Sequence, residues 1–195
     1  MSSAAEQTRQ NILEVTADEI HKNGFTATSL SVILKRCEIS KGALYHHFAN
    51  KLELGYAVFE EMYTPMFLAT WQPALDVEDP IEGLCAFFTS MSNELSCDEL
   101  VCGCPLNNLC HEMSSTDEGF RLRILNLQKL LNQMISSALT KYQDSLRDEL
   151  NFSQVSYFIV ATFYGASDLT KTTQNKALFE QIISELCHYI RALKK

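Results

Sequence analysis

Four of the seven cysteines in this sequence lie close together, in the segment CDELVCGCPLNNLCHEM. Pro105 suits the first position of a helix, because it has no N–H group to leave unpaired, and this would place Cys104 at the N-cap. A thiol at a helix N-cap faces unpaired N–H groups and the positive end of the helix dipole, which favour the reactive thiolate. Cys102, Cys110 or Cys97 would then serve as a resolving thiol. The segment therefore predicts that Cys104 senses oxidants or electrophiles.

Two other interpretations of this segment stay open. The segment could bind a metal ion, although the spacing of its ligands is not that of a zinc finger. The candidate ligands are Cys102, Cys104, Cys110 and His111. Free cysteines also pack inside proteins as small apolar side chains. Seven cysteines cannot form a closed set of disulfides, so reduced thiols are expected. We predict no bound metal ion and no cofactor.

The rest of the composition indicates an all-α protein. Hydrophobic residues make up 46% of the 195 residues, with only four prolines and seven glycines to break helices. No apolar run approaches the roughly 18 residues that a membrane span needs, and no signal peptide is apparent, so a cytoplasmic protein is expected. Apolar spacing and capping residues predict nine helices, near 6–23, 30–37, 41–47, 50–74, 80–95, 105–113, 116–142, 152–173 and 175–193.

Charge is spread unevenly along the chain. The net charge of −8 argues against a general nucleic-acid binder. Residues 1–56 are neutral, with six basic and six acidic side chains, whereas residues 57–195 carry ten basic against eighteen acidic side chains. This asymmetry fits a neutral DNA-reading part joined to an acidic part that binds other partners.

The second and third predicted helices have the lengths and short connection of a helix-turn-helix, which places its second helix in the major groove of DNA. Leu44 and Phe48 would face inward and leave the polar side of the third helix exposed. Ser40 and the free N–H groups beside it could hold a phosphate, and the Ala43 methyl could meet a thymine methyl. The predicted DNA contacts are Thr28, Ser29, Ser40, Lys41, Gly42, Ala43, Tyr45, His46, His47 and Lys51. The same spacing also occurs in plain core packing.

The segment GFTATSLSVILKRCEISKGALYHHFANKLEL resembles the signature of the TetR family of transcriptional regulators. The matching features are Gly24-Phe25, Thr28-Ser29-Leu30, Ile39-Ser40-Lys41-Gly42, Leu44-Tyr45-His46-His47-Phe48 and Lys51. The resemblance covers about residues 8–56. Ala43 departs from it, since the family often has Thr or Ser there, and this puts one phosphate or base contact in doubt.

The resemblance implies a nine-helix TetR-like architecture with two domains. Residues 1–50 would form the helix-turn-helix DNA-binding domain, and residues 51–195 the effector-sensing and dimerisation domain, with the fourth helix carrying movement between them. The protein would be a regulator, most often a repressor, that binds a palindromic operator in double-stranded DNA and is released by a small-molecule or reactive effector.

The resemblance also implies a homodimer built from the last two helices, about 152–193. Two apolar stripes support this independently: Phe152, Val155, Phe158, Ile159 and Phe163 in the first helix, and Leu178, Ile182, Leu186, Tyr189, Ile190 and Leu193 in the second. They offer more apolar surface than one small body needs to cover itself. The alternative is that both stripes belong to the core of one chain.

Two kinds of effector site compete. One is an apolar cavity, with Asn107 as a polar contact, that aromatic side chains could line. The same side chains could instead pack as core; they are Phe67, Trp71, Phe88 and Tyr164. The Gly-Cys before the 105–113 helix, together with Lys171, is similar to features of TetR-family members that sense reactive electrophiles. A Lys171 ammonium near Cys104 would stabilise the thiolate. The predicted effector-sensing residues are Cys102, Cys104, Cys110, Lys171, Phe67, Trp71, Phe88, Tyr164 and Asn107.

A small all-α enzyme with cysteine chemistry is the alternative function. It would need a nucleophile with an adjacent base and orienting group, or a phosphate or cofactor motif, and the sequence contains no recognisable set of this kind. We therefore predict that the chain is not an enzyme.

Overall fold

A computed structural model of the chain describes residues 4–94, 96 and 102–195. Its helices are α1 (Ala4–Asn23), α2 (Leu30–Cys37), α3 (Lys41–His47), α4 (Lys51–Val58), α5 (Thr64–Leu75), α6 (Pro80–Glu94), α7 (Pro105–Met113), α8 (Glu118–Lys141), α9 (Phe152–Thr173) and α10 (Lys176–Arg191). A π-helical turn joins α4 to α5, so these described ranges contain nine continuous α-helices, and the predicted all-α class is confirmed. No helix among them is long and apolar enough to cross a membrane.

The fourth predicted helix, 50–74, changes its hydrogen-bonding pattern in the middle. Phe59–Tyr63 form the π-helical turn, and the N–H of Thr64 bonds the carbonyl oxygen of Phe59, five residues back. Pro65 explains the change, because it has no N–H to donate and its ring would clash with a carbonyl oxygen of the preceding helical turn. The turn thus contains one residue more than an α-helical turn, and the helix continues into α5.

Short polar side chains begin the helices mostly where the sequence predicts them. Ser29, Ser40 and Asn50 each accept a hydrogen bond from the backbone N–H three residues later, at 3.3, 3.2 and 2.9 Å. The predicted start of the 116–142 helix is two residues early. Asp117 caps α8 instead, accepting the N–H three residues on at 2.8 Å, and its charge favours the helix N-terminus.

The first of two compact units contains the residues up to 67 together with 105–125. It includes the whole predicted DNA-binding domain, 1–50, and extends beyond it, because Phe25 packs against Phe120 of α8 with ring centroids 4.9 Å apart. Gly55 of α4 permits this approach, since a Cβ atom there would lie 2.4 Å from the Phe25 ring.

The second unit contains residues 68–104 and 126–195. Its core is built by α6, α9 and α10 with parts of α5 and α8. Trp71, Phe88 and Phe163 form an aromatic cluster in which each pair of ring centroids is 5.6 to 5.9 Å apart. An ion pair between Arg191 and Glu82, at 3.0 Å, joins α10 to the start of α6.

Candidate nucleic-acid interface and effector-sensing region

The short helix α3 buries its apolar side chains and presents its polar ones. Leu44 and Phe48 are buried in the first unit, as their spacing predicts. Lys41, Tyr45 and His46 are exposed, with the Lys41 ammonium 5.7 Å from the centroid of the Tyr45 ring. We call the exposed residues Ser40, Lys41, Gly42, Tyr45 and His46 the α3 face; Ala43 and His47 beside it are half-buried.

The α3 face combines groups that suit DNA. It presents an ammonium, a phenol and an imidazole, which can donate to phosphates or base edges, and Gly42 lets a backbone approach closely. Burial lowers the pKa of His47, and the neighbouring cations His46 and Arg9 lower it further. An uncharged His47 can both donate and accept a hydrogen bond.

Two predicted contacts next to α2 lie in different surroundings. Ser29 is exposed at the start of the helix. Thr28 is only 2% exposed, and its hydroxyl donates to the carbonyl oxygen of Gly24 at 2.7 Å. The hydroxyl of Thr28 is therefore engaged within the turn Gly24–Thr28, called the 24–28 turn below, rather than presented at the surface as predicted.

Lys51 is also engaged with the 24–28 turn. Its ammonium donates to the carbonyl oxygen of Thr26 at 3.0 Å and lies 4.7 Å from the centroid of the Phe25 ring. Burial lowers the pKa of Lys51, and the Glu112 carboxylate partly offsets this. These contacts give Lys51 a role in holding the turn, where the sequence predicted a phosphate contact.

Glu112 of α7 holds the same turn from the other side. Its two carboxylate oxygens accept the backbone N–H groups of Phe25 and Thr26 at 2.7 and 2.6 Å. Burial alone would raise the pKa of Glu112, but the hydrogen bonds from Thr26 and Phe25 and the charge of Lys51 hold it below its ordinary value. Gly24 adopts a φ of 83° beside it, and a Cβ atom there would lie 2.9 Å from a Glu112 oxygen.

Sequence reasoning did not find Glu112, because 86 residues separate it from Thr26 and no motif links the two. Its one visible signal was the position near the end of α7, where a carboxylate is not favoured by the helix dipole. The hydrogen bonds from the N–H groups of Phe25 and Thr26 offset this unfavourable interaction of the Glu112 carboxylate.

The thiols of the cysteine-rich segment lie at the start of α7 and within it. α7 begins at Pro105, as predicted, so Cys104 directly precedes its first residue. Gly103 has a φ of 71°, which a residue with a side chain rarely adopts. Cys102, Cys104 and Cys110 are half-buried and form no disulfide. The predicted alternative partner, Cys97, lies outside the described residues.

No group of three or more His, Cys, Asp and Glu side chains within 4–94, 96 and 102–195 is arranged to hold a metal ion. The metal interpretation of Cys102, Cys104, Cys110 and His111 therefore gains no support from their placement.

Two family models match the chain. Residues 12–58 match the model described as bacterial regulatory proteins, tetR family, and residues 80–185 match the model described as transcriptional regulator LmrA/YxaF-like, C-terminal domain. The second match alone spans more than half of the sequence. The chain belongs to the TetR family. The protein is thus a DNA-binding transcriptional regulator, and the prediction of a TetR-type helix-turn-helix is confirmed.

Curated relatives match the TetR chain over most of its length. An HTH-type transcriptional regulator of the lacX 3' region in Lactococcus lactis is 28% identical, covering 89% of this chain and 88% of the relative. The regulator LmrA of Bacillus subtilis is 28% identical, with coverages of 86% and 88%. The HTH-type transcriptional repressor DhaR of a Mycobacterium species is 21% identical, with coverages of 90% and 88%.

Solved structures share the TetR fold. A TetR-family regulator from Cytophaga hutchinsonii superposes with a TM-score of 0.88 at 23% identity, covering 100% of this chain and 98% of its own. The reduced form of NemR from Escherichia coli gives 0.83 at 23% identity, with coverages of 92% and 95%. At these identities the likeness establishes the fold alone.

The predicted effector residues of this TetR protein differ in burial: some are part of the core and others are half-buried or exposed. Trp71 and Phe88 belong to the fully buried aromatic cluster of the second unit, the placement that the core interpretation predicts. Tyr164 is half-buried beside that cluster, and Lys171 is exposed on α9. In the first unit Asn107 is buried and Phe67 is half-buried. An effector role stays a prediction for each of them.

The two apolar stripes of α9 and α10 are partly core and partly surface. The buried members are Val155, Ile159, Phe163, Leu186, Ile190 and Leu193. Phe158 is about half exposed, as is its neighbour Tyr157, which lies outside the stripe. The Phe158 ring contacts the Tyr189 ring at a tilt of 53°, with ring centroids 4.6 Å apart. A groove of about 310 Å³ runs beside this pair, lined also by Leu178 and Ile182.

Proposed function

We propose that the protein is a repressor that inserts α3 into the major groove of a palindromic operator. The observation that carries this is the α3 face, which is polar and exposed on a helix whose other side is locked into the core by Leu44 and Phe48. Repression follows the name of the relative DhaR, a transcriptional repressor. Because its target is the chromosome, the protein would act in the cytoplasm.

The direct test is selection from a pool of random DNA duplexes with the purified protein. We expect enrichment of a two-fold symmetric sequence whose half-site centres lie about 34–36 Å apart, one turn of DNA. Tyr45→Ala, on the α3 face, should lose binding to the selected duplex, whereas Tyr157→Ala, on the other unit, should keep it. Enrichment of a sequence without symmetry, or full binding by Tyr45→Ala, would contradict the proposal.

We propose that two copies associate through the exposed part of α9 and α10. The apolar groove beside Phe158 and Tyr189 supports this, because it leaves large side chains in water that a second copy would cover. Light scattering after gel filtration tests it: Phe158→Asp should give a monomer, and Leu130→Asp, an equally exposed leucine on α8, should stay dimeric. A dimeric Phe158→Asp variant would exclude this surface.

We propose that an electrophile or oxidant acts at Cys104 to release DNA. The support is its place directly before the first residue of α7, where the positive end of the helix dipole favours a thiolate, and its half-buried setting beside Gly103. N-ethylmaleimide should release the wild type and the Cys110→Ser control from the selected duplex but not Cys104→Ser. Normal release of Cys104→Ser would eliminate Cys104 as the sensor.

We propose that α7 transmits this event to the DNA-reading helices. α7 starts directly after Cys104, and near its other end Glu112 binds the 24–28 turn, which leads into α2. A shift of α7 would withdraw the carboxylate from two N–H groups and from the neighbourhood of Lys51. Glu112→Gln should therefore weaken DNA binding without any effector and reduce the further loss that N-ethylmaleimide causes.

A further inference from the structure

Two cysteines that are 102 residues apart in the sequence face each other in the second unit. Cys85 of α6 is fully buried and Cys187 of α10 is 4% exposed. The Cys85 thiol donates to the carbonyl oxygen of Cys187 at 3.7 Å, and the Cys187 thiol donates to the carbonyl oxygen of Cys85 at 3.8 Å. Because each sulfur reaches the backbone of the other residue, the two side chains converge where α6 crosses α10.

A partly exposed ion pair lies close to this thiol pair. Glu82 precedes Cys85 by three residues and Arg191 follows Cys187 by four, so each charged side chain shares a helix face with one of the thiols. Glu82 and Arg191 pair at 3.0 Å and are 48% and 50% exposed. The two thiols therefore lie about one helical turn from a half-exposed ion pair, whose opening would admit a small oxidant.

The polar surroundings also prepare one thiol for reaction. A side-chain interaction with the Cys85 thiol lowers the pKa of Cys187, and the nearby Thr89 hydroxyl and Arg191 guanidinium act in the same direction, against the effect of burial. The same interaction between the two thiols raises the pKa of Cys85, and burial raises it further, so that Cys85 keeps its proton. The thiolate is the nucleophilic form of cysteine.

We propose that Cys85 and Cys187 are a redox-active dithiol, which a hydroperoxide converts into a disulfide that joins α6 to α10. This pair is separate from Cys104, and the proposal rests neither on DNA binding nor on the effector. A disulfide requires two cysteines whose side chains point at each other over a short distance, and the reciprocal thiol contacts of Cys85 and Cys187 meet this requirement.

The reaction balances with one molecule of hydrogen peroxide. The Cys187 thiolate attacks one peroxide oxygen, the O–O bond breaks, and the leaving hydroxide takes a proton to become water. The Cys85 sulfur then attacks the resulting sulfenic acid; the S–S bond forms, the S–O bond breaks, and the thiol proton of Cys85 leaves with the second water. Both sulfurs are oxidised and both peroxide oxygens are reduced.

Peptide mapping of the full-length protein tests the proposal. After exposure to hydrogen peroxide, free thiols are blocked with iodoacetamide in denaturant, and the chain is cut with a protease specific for glutamate. Cleavage after Glu82, Glu94 and Glu185 gives residues 83–94 and 186–195, each with one cysteine. We expect these two peptides to be linked, two hydrogens lighter than their sum, and to separate with dithiothreitol.

Two controls make the result specific. Protein unfolded in urea before the peroxide should give at least tenfold less of this link, because its seven cysteines then pair at random. Cys85→Ala should give no link and should leave Cys187 as a sulfenic acid that dimedone traps. The link should also raise the thermal midpoint of the wild type by about 5 °C or more, reversibly, as a disulfide across a long loop does.

Recovery of both peptides singly blocked, under peroxide that oxidises other cysteines of the same sample, would overturn the proposal. So would an equal yield from native and unfolded protein, because the fold would then make no contribution to the pairing.

Discussion

The α3 face and the 24–28 turn lie in the same compact unit. The sequence predicts DNA contacts in both regions, from Lys41 and Tyr45 on the α3 face and from Thr28 of the turn with the neighbouring Lys51. In the structure they differ. The α3 face keeps Lys41 and Tyr45 in solvent, whereas the turn uses Thr28 and Lys51 in its own hydrogen bonds and receives a carboxylate from α7. One region leaves its polar side chains exposed, and the other uses them in hydrogen bonds within the fold.

The difference shows how a polar residue in a DNA-binding motif acquires its role. A lysine contributes to DNA affinity directly when its ammonium stays hydrated and mobile, and indirectly when its ammonium already serves the fold. Substitutions in the two regions should therefore change different quantities, DNA affinity in one and stability in the other.

Glu112→Ala should have the largest effect on stability, because it leaves two backbone N–H groups of the turn without their charged acceptor. We expect a loss of about 2 kcal/mol in the free energy of unfolding, with Glu180→Ala, exposed on α10, unchanged. The pKa of Glu112 is below its ordinary 4.5, so its contribution is complete above that pH and disappears as the pH falls through the folded-state pKa. Denaturant titrations of wild type and variant should thus converge in acid; a constant gap would contradict the assignment.

Lys41→Ala and Lys51→Ala form a matched pair across the two regions. Lys41→Ala should weaken operator binding about tenfold and lower the slope of log affinity against log salt by about one per contact, with an unchanged thermal midpoint. Lys51→Ala should lower the midpoint and leave the salt slope intact. The reverse pattern, measured by fluorescence anisotropy and thermal unfolding, would mean that the two regions have been assigned the wrong way round.

Thr28→Val should cost about 1 kcal/mol of unfolding free energy, because the carbonyl oxygen of Gly24 loses the shorter of its two hydrogen bonds, the one from the Thr28 hydroxyl at 2.7 Å, and keeps only the one from the Thr28 backbone N–H at 3.2 Å. Valine has nearly the same shape as threonine, so the packing is preserved. Thr172→Val, on the exposed surface of α9, serves as the control and should change nothing. If Thr28→Val instead keeps full stability and loses affinity for all duplexes equally, Thr28 contacts phosphate as the sequence first indicated.

Glu38→Gly should give the smallest effect and the opposite sign. Glu38 connects α2 to α3 with a φ of 56°, which costs a residue with a side chain more than it costs glycine. After the greater freedom of glycine in the unfolded chain is subtracted, we expect a gain of about 0.5 kcal/mol. Lys35→Gly, inside α2, should lose stability in the same chemical denaturation series.

Features that depend on neighbouring residues could be predicted from the sequence. The helix starts at Ser29, Ser40, Asn50 and Pro105, and the inward side of α3, follow from capping chemistry and from a period of 3.6 residues. The π-helical turn was not predicted. Pro65 indicates that the α-helical hydrogen bonds are interrupted, but a proline alone does not determine whether the helix ends, bends or forms a π-helical turn.

Features that depend on distant partners could not be predicted. The sequence drew attention to the cysteines that cluster near α7, yet the two thiols that contact each other are Cys85 and Cys187, from helices distant in the chain. Likewise the sequence leaves open whether the apolar stripes of α9 and α10 form an interface or core, and the structure shows that most of their members are buried within the chain.

By itself, the sequence determined the helical class, the family and the helix-turn-helix whose second helix exposes its polar side, because periodicity, caps and the family signature are local. The tertiary structure decided which polar groups remain available. Hydrogen bonds and burial depend on what α7, α6 and α10 bring into contact, and these partners are separated by about ninety to a hundred residues of chain. The cysteines and lysines of this regulator thus have predictable positions along its helices, but their chemistry is set by neighbours that only folding supplies.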